Sequence, residues 1–311
     1  MKLVRNLPVI LLLSKQFLSN ALSDTGNIPK AHLLKQAAAF RSSLNEASTE
    51  RKLPSQKDLF YNSAYQQTEN ISNILHGESD VRLRGFCNWL IPNKVMIGQY
   101  PAQTPEANGA SLTQSRRHIH SLLHSARIRT FCSLQSEIPA QDNMEKWRKA
   151  GGEVFLEGTA GKDFPHYFSH YEPLVQEALQ EQSSKDSSGS SSVTFLHAPI
   201  LDLNTPSSES LYTLLSTLLD QLDSSNEQDR NEDAIYIHCW GGRGRAGLVG
   251  ACLLVLVFPE LEAKDCLEWV QQGYDTRLGA SSMPLQLQRS PQTYSQEKFV
   301  YDFAAEIRSL R

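Results

Sequence analysis

Between residues 84 and 311, short apolar runs of strand length trade places with longer segments whose apolar residues fall three and four apart. Strands are predicted over Lys94–Gln99, Ile128–Leu134, Glu153–Glu157, Val193–Ile200 and Ala234–His238. Helices are predicted over Thr113–Ala126, with Ile119, Leu122, Leu123 and Ala126 on one face, and around Trp147, closed by Gly151-Gly152. A further helix is expected over Pro165–Leu179, where Phe168, Tyr171, Leu174, Val175 and Leu179 have helical spacing. Thr205 is a suitable N-cap with Pro206 in the first helical position, ahead of a stripe of Leu211, Leu214, Leu215, Leu218, Leu219 and Leu222. Leu248–Phe258 reads as a buried helix stopped by Pro259. Leu261–Gln272 reads as another, and a last helix opened by Arg289–Gln296 buries Phe299, Phe303 and Ile307. Strands alternating with helices predict an α/β fold: a central, mostly parallel sheet of about five strands with helices on both faces.

Upstream, the pattern thins. Ala31–Ala47 has helical spacing, with Leu33, Leu34, Ala37, Ala38 and Phe40 as its apolar members. Residues 1–83 therefore read as an extension with one or two helices that packs on the main domain or links to it, rather than as an independent domain. Two polar tracts, about 181–192 and 223–233, read as flexible surface loops, and insertions there cost little because loop closure scales only logarithmically with length. The first 23 residues lack Asp and Glu, carry Lys2, Arg5 and Lys15, and include the apolar run Leu7–Leu13. That run is too short to span a bilayer. A secretory signal cleaved near Ala21, an organelle transit peptide and a plain helix all fit it.

Composition narrows the function classes. The net charge of −4 gives no basic character that would point to nucleic acid. The cysteines at 87, 132, 239, 252 and 266 have no metal-type spacing, and no metal or cofactor is expected. Their odd number suits a reducing compartment, cytoplasmic or organellar.

The chemistry concentrates in AIYIHCWGGRGRAGLVGACLLVLVF, a strand, a glycine-rich loop and a buried helix in that order. Loop amides and a helix N-terminus converge on a point where an oxyanion can sit. Cys239 stands there, and the same amides and nearby cations favour its thiolate, the nucleophilic form. Arg245 adds a planar fork able to hold two phosphate oxygens and the charge of a transition state. The pairing fits phosphoryl transfer to sulfur, with Trp240, Gly241, Gly242, Arg243 and Gly244 forming the phosphate cradle. A nucleotide P-loop is excluded because no Lys-Ser/Thr follows the glycines. A structural cysteine beside a glycine turn is the plainer alternative.

This stretch resembles the His-Cys-x5-Arg signature of the cysteine-dependent protein tyrosine phosphatases, especially the dual-specificity branch. His238, Cys239, Gly241, Gly244 and Arg245 stand where that signature places them. Asn88–Pro101 is similar to the entry segment of the branch, which places a phosphatase domain at 84–311. The string PILDLNTP, residues 199–206, is similar to the acid loop of kinase-associated dual-specificity phosphatases. The resemblance implies that Asp202 donates a proton to the leaving oxygen, and the position between a strand and a helix suits that role.

Further readings follow from the resemblance. Ala246 replaces the usual Ser or Thr whose hydroxyl assists the departing sulfur, which implies slower turnover. Gln296 either orients the hydrolytic water or is a solvated first-turn glutamine. Cys132 matches a strand cysteine that lies close to the nucleophile in kinase-associated members, and implies a reversible disulfide with Cys239; the alternative is a small buried hydrophobe. A phosphoprotein is the expected substrate. Arg243, an extra loop cation, keeps a phosphoinositide or inositol phosphate open, and Ala246 keeps open a phosphate-binding pseudophosphatase.

Overall fold

The computed structural model describes residues 29–51, 85–109, 112–157, 166–183, 192–223 and 233–311. The expected targeting segment 1–23, most of the extension and most of both polar tracts lie outside the described residues. In chain order the elements are α1 (Lys30–Arg51), β1 (Cys87–Ile91), β2 (Val95–Gln99), β3 (Gln103–Thr104), α2 (Leu112–His124) and β4 (Ile128–Gln135). Then come α3 (Met144–Lys149), β5 (Glu153–Leu156), β6 (His166–Ser169), α4 (Glu172–Ser183), β7 (Thr194–Ile200) and α5 (Ser208–Asp223). The chain closes with β8 (Ala234–Cys239), α6 (Gly244–Val257), α7 (Ala263–Asp275) and α8 (Tyr294–Ser309).

The main sheet has five strands in the order β1-β2-β8-β4-β7. Only β1 runs antiparallel to its neighbour; the β2–β8, β8–β4 and β4–β7 pairings are parallel. Central β8 is buried at all six positions, which is why AIYIHC reads as a continuous apolar run and not an alternating one. Helix α6 leaves β8 and is buried along its whole length, with α7 and α8 packed against it, while α2 packs on α4 and β4. No helix among the described residues is long and apolar enough to cross a membrane.

Helix α1 joins this core. Leu33, Ala37, Phe40 and Leu44 form one buried stripe at helical spacing, and α1 packs on α5 and α6. Polar contacts fix its register: Ser216 Oγ donates to Gln36 Oε1 at 2.7 Å, Gln36 Nε2 donates to Asp220, and Arg41 pairs with Glu260 at 3.0 Å.

Two expectations are corrected. The single helix over Pro165–Leu179 is instead β6 followed by α4, and β6 pairs antiparallel with both β3 and β5 in a second, three-stranded sheet. His166-Tyr167-Phe168 is an aromatic run suited to a strand, and the ladders on both sides override the helical spacing. Helix α4 starts at Glu172, with Pro173 in its first turn, where proline is tolerated. The helix expected from Thr205-Pro206 begins at Ser208, because Ser207 Oγ accepts the Ser210 N–H at 3.1 Å and serves as the cap. Thr205 and Pro206 thus stay in the loop after β7.

Candidate active site

Cys239 ends β8 and α6 begins at Gly244, so residues 240–243 form the turn between them. Gly242 sits at φ +67°, and a Cβ there would lie 2.0 Å from the carbonyl carbon of Gly98 on β2. Only glycine meets both demands. Beneath the turn lies Arg277, a buried cation whose pKa burial lowers, against the opposing pull of Cys87, Tyr236, Tyr274 and Cys239. Its Nη1 donates to Gly241 O at 3.2 Å, its Nη2 to Gly242 O at 2.9 Å and Ile97 O at 3.1 Å, and its Nε to Asn88 Oδ1 at 2.8 Å. Because a trans peptide sets its C=O and N–H in opposite directions, carbonyls held down on Arg277 turn the N–H groups of Gly242 and Arg243 the other way. Arg277 thereby fixes the orientation of the turn's peptides. Sequence reading missed it, since a lone arginine after a helix carries no motif.

Arg245, the second residue of α6, is 1% exposed and joins three loops. Its Nη1 lies 2.6 Å from Glu137 Oε2, beyond β4, and donates to Ile200 O at the end of β7 at 3.1 Å. Its Nη2 lies 3.1 Å from Asp202 Oδ1, without hydrogen-bond geometry, and is a buried donor left without a hydrogen-bond partner among the described residues. Burial lowers the Arg245 pKa, but the charges of Cys239, Glu137 and Asp202 outweigh it and raise the pKa on balance. The carboxyl ends of three adjacent parallel strands thus deliver Glu137, Asp202 and Cys239 around one guanidinium, the usual site location in such sheets. Glu137 was also missed; its signal was a lone acid two residues past a strand end.

The loop bearing Asp202 is tied to the start of α8. Leu203 adopts φ +62°, its carbonyl accepts Thr293 Oγ1 at 3.3 Å, and Asn204 O accepts Gln296 Nε2 at 3.0 Å. His238 is fully buried with Nε2 2.8 Å from the Tyr171 hydroxyl, and burial, then the nearby His197, His118 and Arg245, hold its pKa well below the usual value. Trp240 packs edge-on against Phe168 at 5.1 Å and faces His166 at 6.1 Å. Arg243 turns toward the segment before α8: its Nε donates to Gln292 Oε1 at 3.2 Å and its Nη1 to Leu287 O at 3.0 Å. Ala246 is buried and offers no hydroxyl.

Residues 171–300, which include Asp202, Cys239 and Arg245, match the family model described as "PTP-SAK: Swiss Army Knife protein, DSP-PTPase phosphatase domain". Over that stretch the chain is similar to the dual-specificity phosphatase domains that the model describes. No curated protein matches this chain in sequence. Among solved structures, PTPMT1 aligns at 14% identity and TM-score 0.41, covering 72% of this chain and 98% of its own. Kinase associated phosphatase, with its catalytic-site cysteine replaced by serine, aligns at 16% and 0.41, covering 69% and 88%. The Trypanosoma cruzi protein tyrosine phosphatase TcPTP1 aligns at 14% and 0.36, covering 93% and 100%.

The structure also places the two accessory residues Gln296 and Cys132. Gln296 is fully buried, so it is not a solvated glutamine. Its Oε1 accepts the N–H groups of Gln292 at 3.1 Å and Thr293 at 3.2 Å, completing a capping box on α8, while its Nε2 holds the loop bearing Asp202. Cys132 lies on β4 in register with Ile237, two residues before Cys239. One strand spacing and two residues of rise put its Cα about 8 Å from that of Cys239. Its thiol is buried, and burial pushes the pKa up to about 12.

Proposed function

We propose that this protein is a phosphatase that hydrolyses phosphoprotein monoesters, of tyrosine or dual-specificity type, through a phosphocysteine on Cys239. The observation that carries the reading is Arg245 Nη2, a buried donor without a hydrogen-bond partner among the described residues, held between the Cys239 loop and the Asp202 loop. A phosphate oxygen supplies what that donor lacks. In the first step Cys239 Sγ bonds to phosphorus, the ester P–O bond breaks, and Asp202 gives its proton to the leaving oxygen. Arg245 and the loop amides hold the equatorial oxygens throughout. Water then attacks phosphorus, the P–S bond breaks, and Asp202 accepts the water's proton. A reducing compartment, cytosolic or organellar, suits a site that depends on a free thiol.

Trp240, next to the nucleophile and braced by Phe168 and His166, supports an aryl leaving group such as phosphotyrosine. A second reading, a phosphoinositide or inositol phosphate, is favoured by Arg243, whose side-chain hydrogen bonds go to the neutral Gln292 amide and the Leu287 carbonyl. Its positive charge stands at the base of α6 with no carboxylate among those two partners. A panel of phosphotyrosine and phosphoserine peptides set against phosphoinositides and soluble inositol phosphates decides between them. Turnover confined to the lipids or inositol phosphates would overturn the protein reading, and turnover of neither by a phosphate-binding protein would make this a pseudophosphatase.

Ala246→Ser is expected to speed breakdown of the phosphoenzyme by about tenfold to a hundredfold, the equivalent of one hydrogen bond to a charged group. Rapid-quench kinetics would show this as a faster steady state after the burst. An unchanged steady state would mean that sulfur departure does not limit turnover.

We also propose that mild peroxide links Cys132 to Cys239 reversibly, since a neighbouring thiol traps a sulfenic acid before further oxidation. The α carbons must close from about 8 Å to within about 7 Å, a small shift at the end of β8. Cys132→Ser is expected to make peroxide inactivation irreversible by thiol reductants. Full recovery of the variant on reduction would exclude the bridge.

A further inference from the structure

The segments that surround the Cys239 turn carry exposed apolar side chains. Leu201, next to Asp202, is 67% exposed, and Tyr294, the first residue of α8, is 75% exposed. Leu278, next to Arg277, is 55% exposed, and Leu285, between α7 and α8, is 80% exposed. Hydrogen bonds join the segments that bear them. Thr293 Oγ1 donates to Leu203 O at 3.3 Å, which ties the Tyr294 segment to the loop after β7. Arg243 Nη1 donates to Leu287 O at 3.0 Å, which ties the Leu285 segment to the turn after Cys239. Arg277 brings Leu278 to the same turn through its bonds to the Gly241 and Gly242 carbonyls.

This rim is held in place. Gln288 Nε2 donates to Ser281 O at 3.1 Å and to Met283 O at 2.6 Å, and Gln288 O accepts Gln271 Nε2 at 2.9 Å. Tyr274 Oη donates to Leu287 O at 3.0 Å. These backbone carbonyls are satisfied within the protein, while Leu278 and Leu285 are left in water. Single exposed apolar residues are ordinary, but four on joined segments around one site mark a contact surface. The neighbouring charges decide what that surface fits. Arg289 pairs with Glu297, and Arg245 with Glu137 and Asp202, so these charges are matched within the chain. An anionic membrane would call for surplus cations, and among these residues only Arg243 is left, half-buried and turned onto Gln292 and Leu287. A peptide needs no such surplus.

We infer that this rim reads the residues flanking the phosphorylated one, and that the preferred substrate is a phosphopeptide segment with an apolar side chain close to its phosphoresidue. The inference rests on the phosphoprotein reading above and deepens it. An apolar flank gains by leaving water against Leu201, Leu285 and Tyr294, whereas a charged flank loses hydration without gaining an unpaired opposite charge from the matched pairs.

The test uses the full chain and phosphotyrosine and phosphoserine peptides of one sequence, with Ala, Leu, Glu or Lys placed in turn at each flanking position. At one or more positions kcat/KM is expected to be about tenfold higher with Leu than with Ala, and no higher with Glu or Lys than with Ala. A triple variant, Leu201→Ser, Leu285→Ser and Tyr294→Ser, changes only exposed side chains and is expected to bring the Leu-to-Ala ratio close to one. Because the ratio compares two peptides on one protein, it cancels any effect on the chemical step. A ratio near one in wild type overturns the inference and leaves the phosphoprotein reading standing. An unchanged ratio in the triple variant overturns the role of the rim, and a preference for Glu overturns it in favour of Arg243. Absence of turnover for every peptide overturns the phosphoprotein reading and this inference with it. Cosedimentation with phosphatidylcholine–phosphatidylserine vesicles that the triple variant loses, without any flank preference, would assign the rim to a membrane instead.

Discussion

Cys239→Ser is expected to abolish turnover while leaving the cradle able to bind vanadate. The loop is held by groups the substitution does not touch: the Arg277 bonds to the Gly241 and Gly242 carbonyls, the glycine crossing over Gly98, and the Arg245–Glu137 pair. A serine hydroxyl fits the same place but is not ionised near neutrality, so only the covalent step is lost. Loss of a covalent nucleophile in a comparable constellation costs on the order of 10⁴–10⁶-fold in kcat. Steady-state hydrolysis of an aryl phosphate, with calorimetric titration of vanadate, measures both halves. Undiminished hydrolysis by the serine variant would sink the assignment of Cys239.

Asp202→Ala is the second large effect, and it should depend on the leaving group. Asp202 lies on the loop after β7, anchored through Leu203 and Asn204 to Thr293 and Gln296, with its carboxylate 3.1 Å from Arg245 Nη2. Positioned general acids contribute about 10²–10⁴-fold. A phenolate of ordinary basicity, such as that of tyrosine, needs the proton, whereas an activated aryl leaving group departs without it. The expected result is therefore a loss of about 10²–10⁴-fold in kcat for phosphotyrosine and a much smaller one for a nitro- or fluoro-substituted aryl phosphate. Equal losses for both would place the acid elsewhere, with Glu137, the other carboxylate on Arg245, as the next candidate.

The legible parts of this chain are those where local chemistry and tertiary structure agree. The strand, loop and helix around Cys239 could be read because buried β8, the glycine turn and buried α6 each carry their own signal, and the spacing from Cys239 to Arg245 is set inside one loop. The loop position of Asp202 was legible because a strand end and a following helix bracket it. What was not legible came from partners far apart in sequence. His166–Ser169 has helical spacing on paper and becomes a strand only because β3 and β5 lie on either side of it. Arg277 and Glu137 carry no motif, and only the fold brings one under the loop carbonyls and the other onto Arg245. Gln296 was legible as a residue of interest, but its partners, Gln292, Thr293 and Asn204, show a capping and bracing role that a first-turn position does not reveal.

The central claim is that phosphate passes through sulfur. The most direct measurement is an acid quench during turnover of a radiolabelled phosphomonoester, followed by peptide mapping of the labelled protein. The account predicts an acid-stable, iodine-labile label confined to the peptide carrying Cys239, absent from Cys239→Ser, and accumulating because Ala246 offers no hydroxyl to the departing sulfur. Turnover without any label on Cys239, or an equal label on the serine variant, would contradict it.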